Sequence, residues 1–336
     1  MAVNIDMMEY ASDEDAQAEY IGNSVANLQC TSEDTIKTQG DYSLKTIGVI
    51  TDSLDKILKS SVNWANIYTF STNASATLIT NWIGAAISTS PNIPNYINGQ
   101  PSVVNYNTVF RAKTALTNCT IGANVSFVDN KIADTFNACS NLIGVDAIPN
   151  GVTNMAATFR ECPKLVNAPT IGANVTTMYK TFYECSSLVN APTIPANVTT
   201  MYETFRSCSN LVNAPTIGAN VTNMAYTFKE CTSLVNAPTI GANVMNMAST
   251  FQSCSNLVNA TTIGANVTSM KETFRSCPNL VGNITIVNAN VTSFYDCFRD
   301  CNASLAKNLR CPAGSATATL AQSVCNGKNG VTVVNY

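Results

Sequence analysis

Residues 201–246 contain the same 23-residue unit twice, as MYETFRSCSNLVNAPTIGANVTN followed by MAYTFKECTSLVNAPTIGANVMN. Seven copies of this unit fill the middle of the chain, and each has a methionine, a phenylalanine four residues later and a cysteine three residues after that. The last copy comes one residue late and has phenylalanine in place of methionine. Because one short unit recurs without interruption, the unit decides the fold. The recurring residues are Met155, Met178, Met201, Met224, Met247, Met270 and Phe294; Phe159, Phe182, Phe205, Phe228, Phe251, Phe274 and Phe298; and Cys162, Cys185, Cys208, Cys231, Cys254, Cys277 and Cys301.

Within one unit, the apolar residues have the spacing of a short helix. Met224, Phe228 and Cys231 lie at positions i, i+4 and i+7, which share one helix face. Residues 234–239 are predicted to be extended, because their proline disfavours a helix. Repeats of ~20–29 residues with recurring leucines are typical of a leucine-rich-repeat solenoid. We therefore predict an α/β fold, a leucine-rich-repeat solenoid with one strand and one short helix in each 23-residue repeat.

The chain divides into three predicted regions. A small, β-rich N-terminal attachment domain covers residues 1–104, the solenoid covers residues 105–312, and a C-terminal cap covers residues 313–336. Two degenerate copies, which contain Phe110 and Phe136, begin the solenoid, as expected where the core of a repeat array must be closed. The cap is predicted to consist of a helix and a final strand, at Ala316–Cys325 and Val331–Tyr336.

The composition argues against several classes of function. Charged residues make up 12% of the chain, the net charge is −3 and histidine is absent. A nucleic-acid interface is therefore not predicted, and Ser-His-Asp, Cys-His and histidine-metal sites are impossible. We predict that the protein is not an enzyme and binds neither cofactor nor metal. A three-thiolate metal site at Cys297, Cys301 and Cys311 is the one arrangement that would depart from this prediction.

The N-terminus and the hydropathy bear on cellular location. Met1 to Asp6 lack a basic segment followed by an apolar one, so we expect no secretory signal. No apolar run approaches the ~18 residues that can cross a bilayer. We therefore expect no membrane insertion and, if Met1 is the native start, synthesis in a cytosol.

The 13 cysteines would suggest disulfides in a secreted protein. In each copy, however, the cysteine lies on the predicted helix face, and helices that pack side by side are ~8–10 Å apart. A disulfide requires Cα atoms within ~7 Å of each other. The cysteines of neighbouring copies are therefore predicted to be buried free thiols.

An asparagine and a threonine also recur once in each copy. We predict that the asparagine amides bridge backbone groups of adjacent coils and that both ladders are structural. Five of the asparagines stand in Asn-Val-Thr sequons, but the ladder explains their recurrence, and we predict no glycosylation. The ladders are Asn174, Asn197, Asn220, Asn243, Asn266 and Asn290, and Thr158, Thr181, Thr204, Thr227, Thr250 and Thr273.

The positions that vary between copies define a candidate binding surface. They flank each phenylalanine on the exposed side of the predicted helix. Tyrosine and arginine, which are frequent there, are favoured contact residues at interfaces, although sequence drift on an exposed helix would produce the same variation. The candidate residues are Tyr179, Tyr183, Tyr202, Arg206, Tyr226, Lys229 and Arg275.

The strand segments are nearly uniform instead, with Val-Asn pairs from Val166-Asn167 to Val258-Asn259. A uniform, nearly uncharged ribbon would fit a repetitive partner such as a glycan, or a second copy of the chain. Recent duplication would produce the same uniformity without any ligand.

The pattern Met-x3-Phe-x2-Cys-x2-Leu, followed by a strand and a Val-Thr-x-Met return, resembles the BspA-like leucine-rich repeats over residues 106–302. Such repeats occur in surface proteins of bacteria and some protists and in bacteriophage genomes. The resemblance implies adhesion or protein–protein contact and supplies no catalytic residues. A second stretch, from Glu9-Tyr10 through Ser32–Lys45 to Asp52–Lys56, is similar to the opening strands of jelly-roll modules, which recur in phage structural proteins and carbohydrate-binding proteins.

Together these features predict a non-enzymatic structural and binding protein on the surface of a bacteriophage virion, as a tail or head fibre or decoration protein. The N-terminal region would contact other virion proteins, and the solenoid would contact a host-surface protein or glycan. No nucleic acid is expected as a partner, and a homo-oligomer is left open. The alternatives are a BspA-like adhesin on the bacterial cell surface and a cytosolic protein-binding scaffold.

Overall fold

The structure is a computed structural model that describes residues 64–72, 75–83, 90–97, 100–106, 108–260 and 262–336. The segment similar to a jelly roll, residues 9–56, lies outside the described residues. The predicted domain boundary at residue 104 therefore stays a prediction.

The described residues contain short strands, one α-helix and two single 3-10 turns. In the described part of the chain, α1 (Ala316–Val324) is the only α-helix. No helix there is both long and apolar enough to cross a membrane. The 3-10 turns are Trp64–Asn66 and Val128–Asn130. The strands are β1 (Tyr68–Thr72), β2 (Thr77–Trp82), β3 (Asn92–Ile93), β4 (Tyr96–Ile97), β5 (Gln100–Val104), β6 (Asn118–Ile121), β7 (Ser126–Phe127), β8 (Gly144–Val145), β9 (Gly282–Thr285), β10 (Lys307–Cys311) and β11 (Val331–Asn335).

Parallel stacking of coils begins before the regular repeats. β1 and β2 form an antiparallel hairpin, and β4 pairs with β5 in the same manner. β2, β5 and β7 pair in parallel across successive coils, as do β3, β6 and β8. The chain between β2 and β8 is thus already wound as a solenoid.

In the regular copies, single residues that form isolated parallel β-bridges take the place of full strands. Two parallel ladders of these bridges run along the solenoid, one residue per coil in each ladder. The predicted solenoid of stacked coils is therefore confirmed, with less extended structure per coil than a full strand. The ladders run through Asn154, Thr177, Thr200, Asn223, Asn246, Ser269 and Ser293, and through Gly144, Asn167, Asn190, Asn213, Asn236, Asn259 and Val281.

The predicted helix in each copy is instead a series of tight turns. The Thr158 N–H donates to the Met155 carbonyl three residues earlier, at 3.2 Å. Between these turns, the backbone bonds to the next coil, and the Phe159 N–H donates to the Thr181 carbonyl at 2.8 Å. Ala157, within the turn, has a φ of 53°.

Coil spacing explains why turns replace the helix. Coils joined by parallel bridges repeat every ~4.8 Å, whereas packed helices need ~8–10 Å between their axes. A helix in every coil would therefore break the bridges, while a flat series of turns fits the shorter repeat and gives every second N–H a partner in the next coil. The apolar spacing predicted the buried residues correctly but assigned them the wrong backbone.

A column of aromatic rings fills the core. Nine phenylalanine rings, from Phe110 to Phe298, stack with centroid distances of 5.3–5.7 Å and interplanar angles of 1–13°. At the N-terminal end, the rings of Tyr68 and Trp82 pack on Phe110 at 6.4 and 5.8 Å. The core is therefore one continuous apolar column, closed at that end by two larger rings.

The threonine and cysteine ladders tie consecutive coils together inside this core. The hydroxyl of Thr181 donates to the Met155 carbonyl at 2.8 Å, and the thiol of Cys185 donates to the Phe159 carbonyl at 3.0 Å. All cysteines of the described residues are free and buried, so the predicted free thiols are confirmed. The helix spacing of ~8–10 Å that led to this prediction was wrong, because coils repeat every ~4.8 Å. The Cα atoms of neighbouring ladder cysteines are therefore close enough for a disulfide.

The C-terminal cap has the predicted helix and strand. β11 pairs with β10 in parallel and forms the edge of the last sheet. The loop after α1 folds over this edge: the Gly327 N–H donates to the Val331 carbonyl at 2.8 Å, and the Val333 N–H donates to the Asn326 side-chain oxygen at 3.0 Å. These bonds occupy edge groups that would otherwise be free to pair with another chain.

Candidate functional site

The tyrosines at the surface of the middle coils form one cluster, which we call the tyrosine patch. Its members come from the three coils that begin at Met178, Met201 and Met224. They lie on the turns that replace the predicted helix, at the positions that vary between copies. The tyrosine patch consists of Tyr179, Lys180, Tyr183, Tyr202, Glu203, Arg206, Tyr226 and Lys229.

The repeat brings three of the tyrosines into one row. Tyr179 and Tyr202 occupy equivalent positions in consecutive coils, so their rings stack at 5.4 Å with an interplanar angle of 10°. Tyr226 is one residue later in its unit and meets Tyr202 edge-on, at 5.5 Å and 65°. Tyr179 keeps 40% of its surface exposed. Tyr202 and Tyr226 are half-buried, so the row is an ordered aromatic surface that is partly open to solvent.

Cations flank the second tyrosine position. Tyr183 lies between the guanidinium groups of Arg160 and Arg206, whose central carbons are 5.5 and 5.3 Å from its ring centre. The Lys180 ammonium lies 5.2 Å from the ring centre of Tyr179 and 5.8 Å from that of Tyr183. Such cation–π contacts contribute roughly 0.5–1 kcal/mol each at exposed sites, so they hold the rings in place before any partner arrives.

A nearly buried carboxylate anchors the cations. The Glu203 side chain is 8% exposed, and its Oε2 lies 3.5 Å from Lys180 Nζ and 3.6 Å from Arg206 Nη1. A buried carboxylate must be paired to be tolerated, and two cations from neighbouring positions supply this pairing. Burial alone lowers the pKa of Lys180, but a hydrogen bond to Tyr179 and the charge of Glu203 outweigh it, so the pKa is raised.

The tyrosine hydroxyls stay neutral in this surrounding. Burial, followed by the hydrogen bond and charge of Glu203, raises the pKa of Tyr202 to about 12. Burial also raises the pKa of Tyr183, with a further contribution from Glu184. At neutral pH the patch therefore presents hydroxyl groups that can both donate and accept hydrogen bonds.

The structure unites six of the seven residues predicted from the sequence. The sixth, Lys229, places its ammonium 5.8 Å from the Tyr226 ring centre. Arg275 lies in a later coil and pairs instead with Glu272 at 3.4 Å and with Asp300 at 3.7 Å. Sequence reasoning did not select Lys180 and Glu203, although they occupy the same varying positions, because only the coil spacing shows that they touch.

A second exposed feature is the Val-Asn ribbon. Its valines, from Val166 to Val235, are 38–42% exposed. The asparagine amides also contact each other across coils, and Asn259 Nδ2 donates to Asn236 Oδ1 at 2.9 Å. The ribbon is thus a regular, uncharged surface whose polar groups already bond to one another.

The cysteines of the described residues are poorly suited to nucleophilic attack or metal ligation. Burial raises the pKa of Cys162, Cys231 and Cys277 well above the usual value, which disfavours the thiolate that nucleophilic attack or metal ligation requires. In the described ranges, no group of three or more cysteine, aspartate and glutamate residues is arranged to hold a metal ion.

Comparison with known proteins gives a family match and several structural similarities. Residues 104–235 and 192–305 match the family model described as BspA type leucine rich repeat region. No curated protein sequence matches the chain. Solved structures that are similar include the T. pallidum leucine rich repeat protein (TpLRR), with 18% identity, coverage of 66% of this chain and 84% of that one, and a TM-score of 0.37.

Two further structures are similar over most of their length. A leucine rich cell surface protein from Faecalibacterium prausnitzii A2-165 has 16% identity, covers 80% of this chain and 93% of its own, and gives a TM-score of 0.40. A leucine-rich repeat protein from Bacteroides ovatus ATCC 8483 has 14% identity, with coverage of 80% and 97% and a TM-score of 0.28. The family match, which spans more than half of the chain, is the comparison that identifies the repeat type.

Proposed function

The chain belongs to the BspA-type leucine-rich repeat family, and from this premise we propose that it is a non-enzymatic binding protein of a bacterial cell surface whose tyrosine patch contacts a partner protein. The observation that carries the proposal is the row of Tyr179, Tyr202 and Tyr226. Three rings in contact on adjacent coils, two stacked and the third edge-on, are backed by paired charges and form a surface that the fold of the solenoid does not require.

The chemistry of the patch favours a protein partner. Tyrosine and arginine dominate the residues that contribute most to protein–protein binding. The rings are already held by stacking and by the cations Lys180 and Arg206, so binding loses little side-chain entropy. Because Glu203 pairs with both cations, the affinity comes from contact area and hydrogen bonds, with a weak dependence on salt.

We propose the cell surface because the resemblance to this repeat family implies adhesion or protein–protein contact. The virion placement predicted from the sequence depends on the jelly-roll-like segment, residues 9–56, which lies outside the described residues, and we place it second. A cytosolic scaffold would use the same patch on an intracellular partner.

The location is tested by labelling intact cells that produce the protein with a membrane-impermeant amine reagent, followed by mass spectrometry. Recovery of labelled peptides from intact cells supports the surface proposal. Labelling that requires lysis points to the cytosolic scaffold, and stoichiometric recovery from density-purified phage particles points to the virion. Either of these two results contradicts the cell-surface proposal.

The patch is tested by measuring binding to a panel of immobilised extracellular-matrix glycoproteins. We expect Tyr202→Ala to weaken binding at least tenfold, which corresponds to ~1.4 kcal/mol. Tyr295→Ala is the matched control, because Tyr295 occupies the same position in the last copy, is 59% exposed and lies over Lys271 outside the patch. Equal losses in both variants, or no binding to any member of the panel, would count against the proposal.

A further inference from the structure

A groove runs along a different part of each coil, where the Asn-Val-Thr segments turn the chain. The valines of these segments, such as Val221 and Val244, are fully buried, so the residues on either side of them point outward. Asn220 and Thr222 are therefore side by side on the surface, ~7 Å apart along the chain, and the pair recurs in each coil at ~4.8 Å. The outward groups form two parallel columns that border a groove of about 690 Å³.

The asparagine column has a fixed orientation. The Nδ2 atoms of Asn220, Asn243 and Asn266 donate to alanine carbonyls of the preceding coil, at 2.9, 2.8 and 2.9 Å. Each amide is thereby locked, and its Oδ1 remains as an acceptor and its second N–H as a donor on the exposed side. The predicted bridging role of the ladder is confirmed at these positions, and the bridging also leaves an ordered row of acceptors.

The threonine column is fixed in the same manner. The hydroxyls of Thr222 and Thr268 each donate to a carbonyl of the preceding coil at 3.2 Å. A hydroxyl that donates in this direction keeps its oxygen lone pairs for an incoming donor. None of the residues that line the groove is charged. The groove therefore offers ordered acceptors, with amide N–H donors beside them, to a neutral ligand that is rich in hydroxyl groups.

One side chain interrupts the threonine column at its centre. Met245 stands where Thr199, Thr222 and Thr268 stand in other coils, it lines the groove, and it is 51% exposed. The fold does not need methionine there, because neighbouring coils have threonine at this position. The Met245 N–H donates to the Thr222 carbonyl, and the Thr222 N–H makes the equivalent bond to the Thr199 carbonyl. An exposed apolar side chain within the threonine column, beside the asparagine column, fits a ligand that has an apolar face as well as hydroxyls.

We propose that this groove binds a linear, uncharged polysaccharide along the axis of the solenoid. Sugar hydroxyls supply the donors that the locked amides and hydroxyls accept, and the C–H face of a ring packs on Met245. A polymer with a short repeat can make the same contact in successive coils, so weak individual contacts add up. A second copy of this chain is the alternative occupant of this face, and the test below distinguishes it from a polysaccharide. The site is separate from the tyrosine patch and does not depend on its function.

The test is affinity electrophoresis of the full chain in native gels that contain xylan, mannan, dextran or mixed-linkage β-glucan, with polygalacturonate and dextran sulfate as charged counterparts. We expect at least one neutral polymer to retard the protein, with a retardation that does not change with salt. Met245→Thr should weaken the apparent affinity at least fivefold while leaving the melting temperature unchanged, because it restores the residue of neighbouring coils. Thr222→Val should also weaken it.

Thr176→Val is the matched control, because its hydroxyl makes the same 3.2 Å bond to the preceding coil but does not line the groove. It should leave the affinity within twofold of the parent, as should Tyr202→Ala in the tyrosine patch. The proposal is overturned if no neutral polymer retards the chain, if only the charged polymers do, or if Met245→Thr retains full retardation. Concentration-dependent dimerisation that Met245→Thr abolishes would also overturn it and assign the groove to a second copy.

Discussion

The thiol of Cys185 donates a hydrogen bond to the carbonyl oxygen of Phe159, one coil earlier, at an Sγ–O distance of 3.0 Å. The same contact recurs in every coil from Cys139 to Cys301, at 2.9–3.0 Å. Each thiol is thus directed at backbone rather than at the next thiol. This orientation, and not the distance between coils, accounts for a ladder of cysteines without disulfides.

The ladder thiols should be protected from alkylation in the folded protein. Burial excludes the reagent and raises the pKa of Cys185 well above its usual value, so the reactive thiolate is scarce. We expect iodoacetamide at pH 8 to leave the ladder cysteines unmodified in the native protein and to modify them in denaturant without any reductant, as read by peptide mass spectrometry. Cysteines that react only after reduction would reveal disulfides, and rapid native modification would contradict the burial.

Replacing any internal phenylalanine of the aromatic column with alanine should lower the free energy of unfolding. Phe228 is fully buried and stacks on Phe205 and Phe251 at 5.7 Å on both sides. Phe228→Ala should lower the free energy of unfolding by roughly 3–5 kcal/mol, because the cavity cannot collapse against two rigid neighbours. Urea unfolding measures the loss. Tyr295→Ala, at an exposed position, is the control and should stay within about 0.5 kcal/mol; similar losses in both would argue against the stack.

The sequence predicted the solenoid, its period and its core with good accuracy. Met155, Phe159, Cys162 and Leu165 are each fully buried, as their periodic recurrence indicated. The helix was wrong because the same i, i+4, i+7 spacing also arises when a series of turns directs every third or fourth side chain inward. Periodicity records which residues face the core, and it cannot distinguish two backbones that bury the same set.

The candidate surface was predicted in part for a related reason. Tyr179 and Tyr202 stack because equal positions in consecutive units are adjacent in space, and the repeat alone implies this adjacency. Glu203 is buried between Lys180 and Arg206 because of its local backbone. A φ of 53° at Glu203 sets the direction of its side chain. No sequence pattern shows this local geometry. The groove at Met245 was not predicted, because the predicted threonine ladder, Thr158 to Thr273, is buried and occupies a different position of the repeat from the groove residues Thr222 and Thr268.

The C-terminal cap should depend on one buried ammonium. Lys307 is fully buried, and its Nζ donates to the carbonyls of Asn302, Leu305 and Asn329 at 2.8, 2.7 and 3.0 Å. Lys307→Met fills the same space but leaves three carbonyls without this donor, so we expect a loss of about 2–4 kcal/mol. Hydrogen exchange should quicken around the cap, over residues 302–335, and remain slow in the central coils.

The matched control for the cap is Lys328→Met. Its ammonium also donates to a carbonyl, that of Val324 at 2.9 Å, but the contact is exposed. The change should cost less than about 1 kcal/mol and leave exchange in the cap nearly as it is. If Lys307→Met behaved like this control, the buried ammonium would have no special role in closing the solenoid.

Residues with positive φ in the turns should be sites where glycine stabilises the protein. Ser253 has a φ of 62°, in the left-handed region, and its N–H donates to the Arg275 carbonyl at 2.8 Å. A left-handed conformation costs a non-glycine residue roughly 1–2 kcal/mol, whereas glycine adopts it freely and loses somewhat more entropy on folding. Ser253→Gly keeps the backbone bond and should raise the free energy of unfolding by about 0.5 kcal/mol. Ser255→Gly, two residues later and outside the left-handed region, should lower it by about 0.5–1 kcal/mol. Urea midpoints that shift downward in both variants would show that the turns do not store this strain.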